Sequence, residues 1–145
     1  MYQKGIQWEA IKLRITQEAD YALRIVALLA THQSVVDANT IAEEAGITQR
    51  FALKILRKLS LGELVCSQKG AGGGYKLVKE PENITLKDVI ELIDGEIAIS
   101  KCLSEEHICS KQGVNKSACK IHLIFDAINR DLVERLGDIT IASVI

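Results

Sequence analysis

Between Lys69 and Tyr75 the chain reads Gly-Ala-Gly-Gly-Gly. β-prone runs lie on both sides, Leu64-Val-Cys-Ser before it and Tyr75-Lys-Leu-Val after it. A glycine-rich stretch between two strand-forming segments closes a hairpin, here with Lys69 at its tip. It does not read as a nucleotide loop, because it lacks a Gly-Lys-Ser/Thr ending and does not precede a helix. A chain built around this hairpin must place something against it, and the preceding residues supply that.

Thr40-Ile-Ala-Glu43 has the form of a capping box opening a short helix that stops at Gly46. Thr48 can cap the next helix, whose apolar positions Phe51, Ile55, Leu56 and Leu59 recur at helical spacing before Gly62 ends it. This second helix carries Arg50, Lys54, Arg57 and Lys58. Two short helices joined at a glycine outline a helix-turn-helix, whose second helix lies in the DNA major groove. The same pattern also serves plain three-helix packing. Followed by a basic hairpin, it becomes a winged helix, a mainly α fold with a small β-hairpin.

Charge is distributed accordingly. From Thr48 to Lys79 seven Lys or Arg face one acid, Glu63, giving a local charge of +6, although the whole chain carries −1. From Glu80 onward seven basic residues face twelve acidic ones. Only the first segment suits a polyanion; the alternative is a solvated helix face. Aromatic residues make up 4% of the chain, so the core must come from Leu, Ile, Val and Ala. No apolar run approaches the ~20 residues of a membrane span, and the first ten residues do not form a signal peptide. These features point to the cytoplasm, with no membrane partner.

The sequence divides further along its length. Residues 1–12 read as an N-terminal extension and 13–80 as the winged helix-turn-helix, whose first helix Thr16 can cap. Residues 81–101 hold a connecting helix from Leu86 to Ile93, capped by Thr85 and ended by Asp94-Gly95. A cysteine loop spans 102–122, a long helix 118–137, and a C-terminal tail 138–145. The long helix bears an apolar stripe of Ile121, Ile124, Phe125, Ile128, Leu132 and Leu136. A second copy of the chain is the economical cover for that stripe, making it a dimerisation helix. Folding back onto its own domain is the alternative.

The loop gathers Cys102, Cys109 and Cys119, three of the four cysteines, together with His107 and His122. Clustered thiols in a reducing compartment point to metal or redox chemistry rather than disulfides. Three thiolates suit an iron–sulfur cluster and leave one iron position to fill. Cys119 and His122, three apart at a helix start, are expected to share a face. A zinc site would use the same donors, although no close Cys-x2–4-Cys pair is present. An unliganded loop remains the plain reading. Cys66, beside Leu64 and Val65, reads as a buried structural thiol. Neither a catalytic pocket nor an orienting group for a nucleophile is displayed, so no enzyme and no small-molecule substrate are expected.

Several stretches together resemble the Rrf-two family of bacterial repressors. They are Leu13 to Arg24, Ile41 to Phe51, Lys54 to Leu59, Gly70 to Tyr75 and Ile84 to Ile90. The resemblance implies a DNA-binding homodimer in which Thr48, Gln49, Arg50, Lys54, Arg57, Lys69 and Tyr21 face the operator. It also implies a cluster held by Cys102, Cys109 and Cys119. IscR-like members would complete it with the equivalent of His122 as 2Fe-2S. NsrR-like members would use the equivalent of Asp20 for 4Fe-4S; the first pairing is favoured here. Such a cluster would sense iron, nitric oxide or redox state. A regulator with zinc or no metal, controlled by protein contact or thiol oxidation, is the alternative. Cysteine gaps of six and nine residues, Leu53 in place of the family's Glu, and Lys69 in place of its Arg depart from the pattern. The signal, operator and target genes are left open.

Overall fold

The computed structural model describes residues 14–105, 108–111 and 115–145. The expected extension at 1–12 and His107 lie outside the described residues. Three helices, α1 (Gln17–His32), α2 (Ala38–Ala45) and α3 (Gln49–Leu61), precede a hairpin of β1 (Val65–Gln68) and β2 (Gly74–Leu77). Two further helices, α4 (Leu86–Asp94) and α5 (Lys120–Asp138), follow. The architecture is the expected mainly helical winged helix with a long C-terminal helix.

Local chemistry sets most boundaries. Thr16 caps α1 by accepting a hydrogen bond from the Ala19 amide at 3.1 Å, and Thr48 caps α3. Thr85 and Asp88 form a reciprocal capping box at the start of α4. The start of α2 corrects the sequence reading. Its N-cap is Asp37, whose Oδ1 accepts from the Asn39 and Thr40 amides at 3.0 and 3.1 Å. Thr40 lies inside the first turn and donates its hydroxyl to Asp37 Oδ2 at 2.6 Å. The Thr40–Glu43 spacing mimicked a capping box, but Asp37 was already placed to satisfy the free amides. The bond from Thr40 is the largest influence holding the Asp37 carboxyl below its ordinary pKa.

The hairpin is antiparallel, with Val65 opposite Leu77 and Gln68 opposite Gly74. It is fastened to the helices by a rung the sequence did not announce: Val36 and Tyr75 exchange backbone hydrogen bonds of 2.9 and 2.8 Å. Gly74 permits this closeness, since a Cβ there would stand 2.2 Å from the Val36 carbonyl oxygen. Cys66, expected to be buried, is half-buried on β1. Strand alternation gives the interior to Val65 instead, which is 2% exposed.

The core joins Ile25 and Leu29 of α1, Ile41 of α2, Ile55, Leu56 and Leu59 of α3, and Val89 of α4. It contains no buried aromatic ring among the described residues, as the composition requires. Ile141 is fully buried in the same core. Its amide donates to the Ile84 carbonyl at 2.8 Å, and the Leu86 amide donates to the Ile139 carbonyl at 2.9 Å. Residues 138–145, read from sequence as a tail, are thus packed against the head. By contrast, α5 has no buried residue along its 19 positions. Ile121, Ile124 and Ile128 on its stripe are 66%, 59% and 51% exposed.

Candidate nucleic-acid interface and cysteine loop

The α2–α3 turn and the first turn of α3 present Thr48, Gln49 and Arg50 to solvent. No acid stands in that first turn, so the positive end of the helix dipole is left for an anion. Arg57 and Lys69 are exposed as well, the latter at the hairpin turn. Tyr21 is half-buried and supports α3 from below. Its ring meets Phe51 edge-on with centroids 5.6 Å apart, Gln17 Nε2 donates to its hydroxyl at 3.0 Å, and Arg24 lies 5.1 Å from its centroid.

Lys54 is already engaged. Its Nζ donates to Oε2 of Glu18 on α1 at 3.2 Å, while Lys58 Nζ lies 2.8 Å from Oε1 in an ion pair outside hydrogen-bond angles. Burial pushes the Glu18 carboxyl up, but the two ammonium groups outweigh it and hold the pKa below its ordinary value. Sequence reasoning did not find Glu18. The only signal was an acid in the first turn of α1, which is commonplace.

In the loop, Cys102 sits in a 3-10 turn, Lys101–Leu103, with its Sγ 3.2 Å from Ser100 Oγ. Cys109 lies in the stretch 108–111, and Cys119 is the N-cap of α5. All four cysteines are free thiols and half-buried. Because α5 begins at Lys120, Cys119 has extended geometry, and the expected shared helical face with His122 becomes a cap position preceding it. His122 Nδ1 is buried without a hydrogen-bond partner among the described residues. Asp20, the other candidate, is paired with Arg24 at 2.8 Å.

Asn129 was also missed. Its Oδ1 accepts from the Ile99 amide at 3.0 Å and its Nδ2 donates to the Ile97 carbonyl at 2.9 Å, tying the approach to Cys102 onto α5. A lone polar residue beside the apolar stripe was its only sequence signature. Lys116 Nζ reaches the Ser104 carbonyl at 3.1 Å and links the two arms of the loop.

The donor chemistry fits an iron–sulfur cluster in kind: three thiols without sulfur partners and a buried imidazole nitrogen whose hydrogen-bonding capacity is unused. Among the described residues, no three Cys, His, Asp or Glu side chains stand grouped as a metal site.

Fold and surface together define a helix-turn-helix transcriptional regulator. The chain belongs to the Rrf2 family of iron-dependent transcriptional regulators, whose model matches residues 15–145. It is 32% identical over 126 residues to an HTH-type transcriptional regulator of Aquifex aeolicus, covering 86% of each chain. It is 30% identical over 128 residues to the HTH-type transcriptional regulator IscR of Erwinia tasmaniensis, covering 87% of this chain and 72% of that one. Two solved structures share the fold. CymR, the global cysteine regulator of B. subtilis, superposes with a TM-score of 0.74 at 23% identity over 91% of this chain and 95% of that one. IscR of T. potens gives 0.71 at 24% identity over 93% and 88%. The family and these relatives are regulators of transcription, not enzymes. No described helix is long and apolar enough to cross a membrane.

Proposed function

We propose that this regulator binds operator DNA as a homodimer and that an iron–sulfur cluster on Cys102, Cys109, Cys119 and His122 controls that binding. The observation that carries the cluster is the donor set of the loop. Three half-buried thiols have no disulfide partner, and His122 keeps a buried nitrogen without a hydrogen-bond partner among the described residues. A buried polar atom without a partner costs roughly 1–3 kcal/mol, a cost that ligation would remove. A bound cluster would supply a centre that responds to iron supply, nitric oxide or redox state. His122 is the stronger fourth ligand because Asp20 is occupied by Arg24. A 2Fe-2S centre is accordingly favoured over 4Fe-4S. Visible absorption of anaerobically purified protein, with iron and sulfide assayed per chain, tests the assignment.

On the DNA side, Gln49 and Arg50 reach base edges while Thr48, Arg57 and Lys69 contact the backbone or minor groove, with Tyr21 bracing α3. Two copies joined through α5 would set the recognition helices about 34 Å apart, one turn of duplex. If Arg50 holds a base edge bidentately, Arg50→Ala should cost roughly 1–3 kcal/mol on the preferred sequence and flatten discrimination at one position. Competition binding against single-base operator variants measures this. Equal weakening on every sequence would make Arg50 a phosphate contact instead.

A further inference from the structure

Arg50, Lys54 and Lys58 follow one another at four-residue intervals and form a single stripe of cations along α3. A stripe of this kind beside the major groove is a natural track for phosphates. Glu18 interrupts it. Its side chain is 18% exposed and reaches across from α1 to Lys54 and Lys58, which are 57% and 39% exposed. Among the described residues, these are the only ion pairs that α3 makes.

We infer that Glu18 is a specificity-determining residue: it occupies Lys54 and Lys58 and so withholds them from phosphate, leaving α3 to make its contacts through Gln49, Arg50 and Arg57. The inference rests on α3 being the DNA-reading helix. Exposed ion pairs add little to stability, so the larger consequence concerns what the two lysines are free to meet. A phosphate approaching either lysine competes with a carboxylate that is fixed in the same chain and offsets the lysine's charge. Phosphate contacts hold all sequences alike, whereas base-edge contacts discriminate. Removing two phosphate contacts therefore weakens non-specific binding and leaves base reading by Gln49 and Arg50 as a larger share of the whole.

Glu18→Gln keeps the side-chain shape and releases both ammonium groups. Binding of the full-length protein to a random-sequence duplex should then fall more steeply with salt, by about 0.9 in log–log slope for each lysine that gains a phosphate. Between about 200 and 50 mM salt this is roughly threefold extra tightening per released lysine. The ratio of operator to random-sequence affinity should fall together with it. Adding Lys54→Met and Lys58→Met to Glu18→Gln should return the slope to the wild-type value. Glu18→Asp, one methylene shorter, should fall between wild type and Glu18→Gln. An unchanged slope in Glu18→Gln, or a steep slope that survives the two lysine replacements, overturns the inference while leaving DNA binding intact. Wild-type protein without salt-dependent duplex binding rejects the DNA reading itself, and the role of Glu18 falls with it.

Discussion

Replacing Ile124 and Ile128 by glutamate is expected to turn the proposed homodimer into a folded monomer that no longer holds its operator. No α5 residue is buried, and these two side chains are 59% and 51% exposed. Fully burying one isoleucine is worth roughly 1.5–3 kcal/mol, and Ile121, Phe125 and Leu132 extend the same stripe. In a two-fold interface the same patch meets itself, so each substitution acts twice. Carboxylates buried there without partners would each cost several kcal/mol, enough to dissociate the pair at micromolar concentration. The head should survive, because its core is formed by α1 to α4 and Ile141 without any α5 residue. Sedimentation reads the oligomeric state, and far-ultraviolet dichroism reads the fold. An intact dimer in the double variant would mean that the stripe is covered in some other way.

Each of Cys102→Ala, Cys109→Ala and Cys119→Ala is expected to lose most of the bound iron. Removing one thiolate from three leaves two thiolates and one imidazole for a centre that needs four ligands. His122→Ala should lose the normal spectrum as well, whereas Asp20→Ala should keep it. The asymmetry follows from the two environments. His122 has a buried nitrogen without a partner among the described residues, while the Asp20 carboxylate is already paired with Arg24 at 2.8 Å. Reconstituting the five variants side by side with iron and sulfide gives the comparison. A normal spectrum in the His122 variant with loss in the Asp20 variant would transfer the fourth ligand to α1. Unchanged iron in any one cysteine variant would remove the cluster from this loop.

What the sequence displayed was what adjacent residues decide among themselves. Thr16, Thr48 and Thr85 announced three helix starts, Gly46 and Gly62 two helix ends, and the glycine run the hairpin. The exposed stripe of α5 was visible because a helix repeats its own face. What stayed hidden depends on distant partners. Glu18 meets Lys54 across 36 residues, and Asn129 holds Ile99 across 30. Ile141 closes the core beside Ile84, and Val36 adds a rung to the wing, neither with any short-range pattern to mark it. Even a local rule went astray at Thr40, because the helix starts three residues earlier at the Asp37 cap and Thr40 falls inside its first turn. The donors of the loop were legible by residue type alone. Their relation to α5 through Asn129 was not.

In the proposed switch the loop governs the grip on DNA. Its anchorage to α5 through Asn129, together with the packing of α5 on α4, gives a route from loop to recognition helices. A cluster can shift that arrangement only by binding one form of it more tightly. The direct measurement is operator affinity of one anaerobic preparation, with its cluster intact and after its removal, at a single salt concentration. The two affinities are expected to differ by at least about tenfold, a coupling of roughly 1.4 kcal/mol or more. Equal affinities in the two states would contradict it and reduce any metal in the loop to a structural part.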